Sequence, residues 1–333
     1  MRALVSGGAG HLGSHLCRLL LEQGYDVVCA DNLSTGRIAN IEPMRADSAF
    51  RFLEWDVTQP MTVEENLDEI YHLASPASPP EYMRMPLETL AVNSIGTENL
   101  LRLALQNGAG FLFASTSEVY GDPLLHPQPE SYWGNVNPNG VRSCYDEAKR
   151  FGEALTMAYV RTRGADARIV RIFNTYGPNS RPADGRMVPN FICQALTGRP
   201  LTIYGTGRQS RSLCYVTDTA EGIRRTMTAG IEPGEVINLG SPEEHTVEEY
   251  ARMIAQLCDL PYTPLFRPAA EDDPMRRRPD ITKARTLLGW EPVWKVTDGL
   301  QMTVDWFRGQ DIACGASPHE PEATSLAVNP PPR

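Results

Sequence analysis

Met1-Arg2-Ala3-Leu4-Val5-Ser6-Gly7-Gly8-Ala9-Gly10-His11-Leu12-Gly13 begins the sequence, and the fold is read outward from it. Arg2–Ser6 is an apolar run of strand type, the glycines follow at once, and helical periodicity starts at Ser14–Gln23. Glycines at 7, 10 and 13 remove the Cβ atoms that would hold a backbone away from a pyrophosphate. The helix that follows offers free amides and the positive end of its dipole to the phosphates. The spacing G-x-x-G-x-x-G differs by one residue from the commonest dinucleotide fingerprint; its place between strand and helix gives it weight. Asp31, 18 residues beyond Gly13, ends the next strand candidate. A carboxylate there accepts hydrogen bonds from both ribose hydroxyls and repels a 2′-phosphate, so NAD is favoured over NADP. Asp56-Val57, after the third strand candidate, is an adenine contact or a plain turn.

Short apolar runs alternate with amphipathic stretches through the first half. Strands are expected at Arg2–Ser6, Asp26–Asp31, Arg51–Trp55, Glu69–Ala74, Gly110–Ser117 and Ala167–Asn174, and helices at Ser14–Gln23, Leu87–Gln106 and Tyr145–Arg163. This is the pattern of βαβ units, and it predicts an α/β fold with a Rossmann-type doubly wound parallel sheet over residues 1–178. From about Asn179 the elements shorten. Strands are expected at Leu201–Tyr204, Ser212–Val216 and Glu235–Leu239, and helices at Thr246–Leu257, Ile281–Leu288 and Val296–Phe307. A smaller substrate-binding α/β domain is expected over 179–308, with part of 212–240 returning to the first domain, and a disordered tail over 309–333.

A net charge of −10 argues against a nucleic-acid partner. The seven cysteines (Cys17, Cys29, Cys144, Cys193, Cys214, Cys258 and Cys314) form an odd set without a C-x-x-C pair. That suits a reduced, cytoplasmic protein better than a disulfide framework or a zinc site. Six histidines show no ligand spacing, so no metal is expected. No apolar run approaches the roughly 20 residues that span a bilayer. With a strand at the very start, no signal peptide is expected.

Ser115-Thr116-Ser117-Glu118-Val119-Tyr120-Gly121 closes the fifth strand candidate, and Tyr145-Asp146-Glu147-Ala148-Lys149 opens the third helix. Tyr145 and Lys149, at i and i+4, share one helix face. In isolation such a pair also fits a solvated surface; after a strand ending in a hydroxyl and a carboxylate it reads as a proton-abstracting pair. An ordinary tyrosine, with a pKa near 10, is a poor base at neutral pH. A neighbouring ammonium and a positive nicotinamide ring favour the phenolate and bring that value down. Thr116 or Ser117 would hold the reacting hydroxyl in line.

With Gly7, Gly10 and Gly13, these residues resemble the extended short-chain dehydrogenase/reductase superfamily. Four further stretches narrow the likeness: His72-Leu73-Ala74-Ser75-Pro76-Ala77-Ser78-Pro79-Pro80, Ser115 through Pro123, Ser143 through Glu147, and Arg171-Ile172-Phe173-Asn174-Thr175-Tyr176-Gly177-Pro178. So does Asp272-Asp273-Pro274 leading to Arg277-Arg278-Pro279-Asp280. Over about residues 1–308 the chain resembles the UDP-glucuronic acid decarboxylases (UDP-xylose synthases). Ala148, Val141, Ser34-Thr35 and Ala91 depart from the family pattern; Ala91 stands where some members use a lysine to hold substrate.

The resemblance implies NAD as cofactor, contacted by Gly7, Gly10, His11, Leu12, Gly13, Asp31, Asn32, Gly36, Asp56, Val57, Leu73, Ala74, Ser75, Tyr145, Lys149, Thr175 and Arg186. It implies UDP-glucuronate as substrate, held by Ser117, Asn174, Asn190, Tyr204, Arg211 and Arg277, with the planar fork of Arg211 on the diphosphate. Thr116, Glu118, Tyr145, Lys149 and Arg277 form the implied catalytic set. A homodimer through Leu87–Gln106 and Tyr145–Arg163, packed as four helices, is implied as well.

The implied reaction oxidises C4 of the sugar, which places a ketone β to the C6 carboxylate; CO₂ leaves, C5 is protonated and C4 is reduced again, giving UDP-xylose. Arg277 either orients the carboxylate or stabilises the enolate, and Glu118 either destabilises a charged ground state or relays a proton. The plain alternative for Arg277 is a solvated basic loop balanced by Glu271, Asp272 and Asp273. Rival functions stay open. A decarboxylase that releases UDP-4-keto-pentose and NADH has almost the same sequence. A UDP-sugar 4-epimerase has no need of Glu118 together with Arg277, and a 4,6-dehydratase usually carries an aspartate where Ser117 stands. A non-catalytic NAD-binding scaffold predicts decay of the Tyr/Lys pair, which is intact.

Overall fold

Seven parallel strands form the central sheet. They are β1 (Arg2–Ser6), β2 (Asp26–Asp31), β3 (Phe50–Glu54), β4 (Glu69–His72), β5 (Gly110–Thr116), β6 (Ala167–Ile172) and, from late in the chain, Val236–Leu239. The computed structural model describes residues 1–61, 66–269 and 274–310. Glu271, Asp272, Asp273, Cys314 and all but the first two residues of the expected 309–333 tail lie outside the described residues. In space the order is β3-β2-β1-β4-β5-β6 and then Val236–Leu239. The Rossmann-type doubly wound sheet expected from the sequence is present. Strand order reverses between β1 and β4, and the crevice at the carboxyl ends there is where such sheets bind ligands.

Side chains alternate across the sheet as a strand's period of two requires. Ala3 and Val5 of β1 face Leu16 and Leu20 of the first helix, His11–Glu22, while Leu4 faces Leu100 and Leu101 on the other side. In β5, Leu112 joins the first cluster and Phe111 and Phe113 the second. Burial on both faces is why these strands read as continuous apolar runs. A separate core gathers Phe191, Ile192, Tyr250, Ile254, Leu300, Val304 and Phe307 from the helices Met187–Leu196, Val247–Leu257 and Val296–Arg308. Thr246 and Glu249 cap the second of these helices reciprocally, which fixes where it starts.

Two departures from expectation shape the site. The helix expected over Leu87–Gln106 is broken into Pro86–Ala91, a wide π-type turn at Val92–Gly96, and Thr97–Asn107. Asn93 holds that turn by donating to Ser75 Oγ (2.9 Å) and to the Thr89 carbonyl (2.9 Å), so the helix widens where it meets the loop after β4. The strand expected at Ser212–Val216 is two short ones, Ser210–Arg211 and Cys214–Tyr215. The first of these is the middle of a three-stranded patch with His245–Thr246 and Arg276–Arg277, in which Arg277 and Arg211 are register partners. No helix among the described residues is long and apolar enough to cross a membrane.

Candidate active site

One cavity of about 1330 Å³ runs from the glycine turn past Tyr145 to Arg267. Every residue proposed from the sequence for the site lines it except Gly36. A Cβ at Gly36 would sit 2.7 Å from both oxygens of Asp31, so this glycine packs behind that carboxylate instead of facing the cavity. The other glycines also act differently from the simple reading. Gly7 has φ +74°, and a Cβ there would meet the Ala74 backbone at 2.7 Å. At Gly13 it would fall 2.1 Å from the Gly7 carbonyl oxygen. These two let the turn close on itself and on the end of β4; Gly10, with a single neighbour at 3.1 Å, is the one that keeps the cavity side open.

Asp31 is buried, and its carboxylate accepts from the amides of Ala9 (3.0 Å) and Leu33 (2.8 Å). Ionised, it has lone pairs left for two further donors. Asp56 is a turn aspartate, accepting from the Thr58 amide (2.9 Å) and hydroxyl (2.8 Å), and it also accepts from Asn32 Nδ2 at 3.3 Å. Beside the turn, His11 Nε2 and Trp55 Nε1 are buried with no hydrogen-bond partner among the described residues, and both residues line the cavity. Burial pushes His11 well below the usual imidazole range, so it is neutral. A helix N-terminus, a ribose-competent carboxylate and two buried ring nitrogens without partners among the described residues suit a dinucleotide.

Tyr145 is buried at the start of the helix Ser143–Arg163, with the ring of Tyr82 stacked on it at 4.9 Å and 6°. The sequence predicts a lowered phenol; the chain's own groups do the reverse. Burial first, then the charge of Glu118, push Tyr145 well above its usual value, and a hydrogen bond with Thr116 offsets only part of this. Lys149 contributes less positive charge than its type suggests. Its Nζ donates to the Ala114 carbonyl at 2.8 Å and lies 5.9 Å from the Tyr145 ring centre. Burial draws Lys149 down to about 7, opposed by the charge of Glu153. Glu153 in turn is gripped by Arg171 (2.9 and 2.7 Å) and accepts from Ser115 at 2.6 Å.

Opposite the phenol, Glu118 and Arg277 meet directly although 159 residues separate them. Arg277 donates to both carboxylate oxygens, at 2.5 and 2.7 Å, and Arg142 adds a bond of 2.5 Å. Burial favours the neutral acid, but the charges of Arg277 and then Arg142 outweigh it and hold Glu118 at about 2. It is therefore an ionised partner of two arginines. Arg277 is buried, so the solvated-loop alternative is set aside. The segment that follows is tied by Gln128, itself fully buried. Its Oε1 accepts from the Arg278 amide (2.9 Å), its amide donates to the Arg278 carbonyl (2.9 Å), and its carbonyl accepts from the Asp280 amide (2.9 Å).

Other predicted residues carry structural bonds as well as a cavity face. Thr175 pairs with Thr219 at 3.1 Å, Asn190 donates to the Gly185 carbonyl at 3.1 Å, and Tyr204 accepts through its carbonyl from Gln209 at 2.6 Å. Arg186 is bidentate to Asp184 (2.5 and 2.8 Å). Arg211 donates to the Ser210 carbonyl at 2.8 Å and is buried. His11, Leu12, Leu73, Ala74, Ser75, Val57, Asn174 and Ser117 line the wall. Sequence reasoning missed Arg142, Tyr82 and Gln128. Arg142 was the most findable, lying three residues before Tyr145 and therefore on the same helical turn.

The sequence pattern of the NAD dependent epimerase/dehydratase family matches residues 3–240. UDP-glucuronic acid decarboxylase 1 of Xenopus tropicalis is 49% identical over 307 residues, covering 92% of this chain and 72% of that protein. UDP-glucuronic acid decarboxylase 5 of Arabidopsis thaliana is 50% identical over 309 residues, covering 92% and 89%. Among solved structures, UDP-glucuronic acid 4-epimerase of Bacillus cereus, in complex with UDP-glucuronic acid and NAD, superimposes with a TM-score of 0.84 at 29% identity, covering 92% of this chain and 99% of that one. On these matches the chain belongs to the NAD dependent epimerase/dehydratase family and, within it, to the UDP-glucuronic acid decarboxylases.

Proposed function

We propose that this protein converts UDP-glucuronate to UDP-xylose and CO₂ through a UDP-4-keto intermediate. The observation that carries the reading is the buried Arg277–Glu118–Arg142 bridge, which lines the same cavity as Tyr145. A 4-epimerase of a neutral sugar has no use for a second charged group of this kind beside its phenol. NAD is the cofactor: when bound, it takes the C4 hydride and later returns it, and the positive charge of its oxidised ring favours the phenolate. The glycine turn, Asp31 and the ring nitrogens of His11 and Trp55 would hold it.

Tyr145 accepts the C4 hydroxyl proton, with Thr116 sharing that hydrogen bond and Lys149 keeping the base beneath it oriented. Once C4 is a ketone, the C6 carboxylate has an electron sink β to it, and CO₂ departs. Arg277 faces the charge that then develops on the enolate oxygen, an interaction that lowers the barrier because it strengthens as charge accumulates. Glu118 keeps both guanidiniums in place. Arg211, in register beside Arg277, takes the diphosphate, and the segment 179–308 supplies the uridine side of the cavity. The assignments of Ser117, Asn174, Asn190, Tyr204, Thr175 and Arg186 to ligand contacts belong to this proposal.

A homodimer and a cytoplasmic location complete it. Leu87, Ile95 and Phe151 are 75%, 52% and 52% exposed on the two helical segments expected to pack as a four-helix interface. No disulfide joins the described cysteines, as suits a reducing compartment. The test is incubation with UDP-glucuronate and catalytic NAD, measuring CO₂ and the sugar nucleotide formed. The proposal expects one UDP-xylose per CO₂ and no net NADH. UDP-4-keto-pentose with stoichiometric NADH, or UDP-galacturonate without CO₂, contradicts it.

A further inference from the structure

We propose that Glu244 is a positioning residue of this site, holding from behind the two short strands that present Arg211 and Arg277 to the ligand. The inference rests on the reading of the cavity as a UDP-sugar site and adds what fixes its arginines. Ser210–Arg211 and Arg276–Arg277 pair in parallel over two residues each, Arg276 with Ser210 and Arg277 with Arg211. Neighbouring residues of a strand point to opposite faces, and register partners share one. Arg211 and Arg277 therefore share a face, and both line the cavity. Ser210 and Arg276 share the other face, to which Arg278, two residues beyond Arg276, also belongs; none of these three lines the cavity. A ladder this short makes too few bonds to fix its own placement.

Glu244 supplies what the ladder lacks. It stands between the sheet strand Val236–Leu239 and the third strand of the patch, His245–Thr246, and does not line the cavity. Its Oε1 accepts from the Ser210 hydroxyl and lies 3.9 Å from Arg276 Nε. Its Oε2 lies 3.7 Å from the Arg278 guanidinium and 3.0 Å from His126 Nε2. One carboxylate thus grips the neighbour of Arg211 on one strand and both neighbours of Arg277 on the other. His126 extends the grip. The Gln128 side-chain nitrogen, 3.4 Å from His126 Nδ1, can only donate, so Nδ1 accepts and Nε2 carries the proton given to Glu244. Gln128 also receives the Arg278 amide at 2.9 Å, which closes a ring of bonds around Arg277. Burial pushes the Glu244 carboxyl up, but hydrogen bonds from Ser210 and then His126 outweigh it and hold the group below the usual carboxylate range. Glu244 is therefore an anion behind a site that takes an anionic ligand. As a bystander it would repel that ligand, and neutralising it would tighten binding; as a positioning residue its loss weakens binding.

The test uses that difference of sign. Calorimetric affinity for UDP on the NAD-loaded full chain, NAD affinity by fluorescence titration, and kcat and KM with UDP-glucuronate are measured for the parent, Glu244→Gln and Glu244→Asp. The glutamine variant is expected to lose about three- to thirty-fold in UDP affinity and a similar factor in kcat, with NAD affinity within about two-fold of the parent. Aspartate, which keeps the charge on a shorter stem, is expected to recover part of both losses. UDP binding that is unchanged or tighter in the glutamine variant overturns the proposal, as does an unchanged kcat. A fall in NAD affinity by the same factor also overturns it, because that is a general loosening of the fold. Should the glutamine variant fail to fold, Ser210→Ala, which removes a single partner, decides on the same readings, with expected losses of about three- to ten-fold. A parent that binds UDP but releases no CO₂ from UDP-glucuronate refutes the proposed reaction alone, and UDP affinity then decides the role of Glu244. A parent that binds no UDP refutes both.

Discussion

Tyr145 and Glu118 show how two ordinary side chains are pushed to opposite ends of their range by one buried site. The phenol is raised by burial and by the charge of Glu118, while Glu118 is held at about 2 by its arginines against its own burial. A phenol so placed gives little away until positive charge approaches it. Replacing it removes the base, and Tyr145→Phe is expected to cut CO₂ release by roughly 10²–10⁴-fold, with NAD affinity, followed by fluorescence titration, nearly unchanged. For Glu118 the sign is that of a depressed acid. Its carboxyl lies at about 2 in the folded chain against an ordinary 4.5, so the associated stability is complete above 4.5 and is lost as pH falls through about 2. Urea midpoints at descending pH check this. Glu118→Gln should start lower, by about 3 kcal/mol at neutral pH, and the gap to the parent should close across that window. A constant gap would show that Glu118 contributes through packing and not through its charge.

The elements that matter most are the short ones, and they were the hardest to read. The strand–glycine–helix opening and the Tyr145/Lys149 spacing were legible because each is a local constraint. A tight turn must have glycine at residue 13, and residues four apart must share a helix face. Arg277 meets Glu118 across 159 residues, and no period or spacing reports such a contact; the family likeness named both residues but not their meeting. The break at Val92–Gly96 was invisible for the same reason, since Asn93 is drawn out of regular helix by Ser75 on a distant loop. Burial of Lys149, which costs it much of its charge, also has no local sign. Gln128 belongs with these. Its side chain ties the Leu125 carbonyl (2.7 Å) to the Arg278 amide (2.9 Å), one residue from Arg277. Gln128→Ala is expected to lose about 1–3 kcal/mol in thermal or urea unfolding, as buried backbone groups lose partners. It should also lower kcat while leaving the dissociation constant for NAD in place. A variant with reduced stability but unchanged kcat would confine Gln128 to folding.

At the scale of the whole molecule, the doubly wound sheet presents the cofactor side at its reversal point, and the Arg211–Arg277 patch closes on it from the second core. The composition and alternation of the strands were enough to predict that sheet; the late strand, expected at Glu235–Leu239 and found at Val236–Leu239, pairs with β6. The exposed Leu87, Ile95 and Phe151 give the assembly its own prediction: Phe151→Glu is expected to shift sedimentation from dimer to monomer, as a charge buried at an apolar interface requires. A parent that already sediments as a monomer would remove the four-helix interface. The central claim, that a hydride lent from C4 makes an otherwise unreactive carboxylate leave, is tested by UDP-glucuronate deuterated at C4, quenched during a single turnover. Deuterium should be found first on the bound nicotinamide and then, at full occupancy, back on C4 of UDP-xylose. CO₂ release with deuterium that never appears on the nicotinamide would contradict the account.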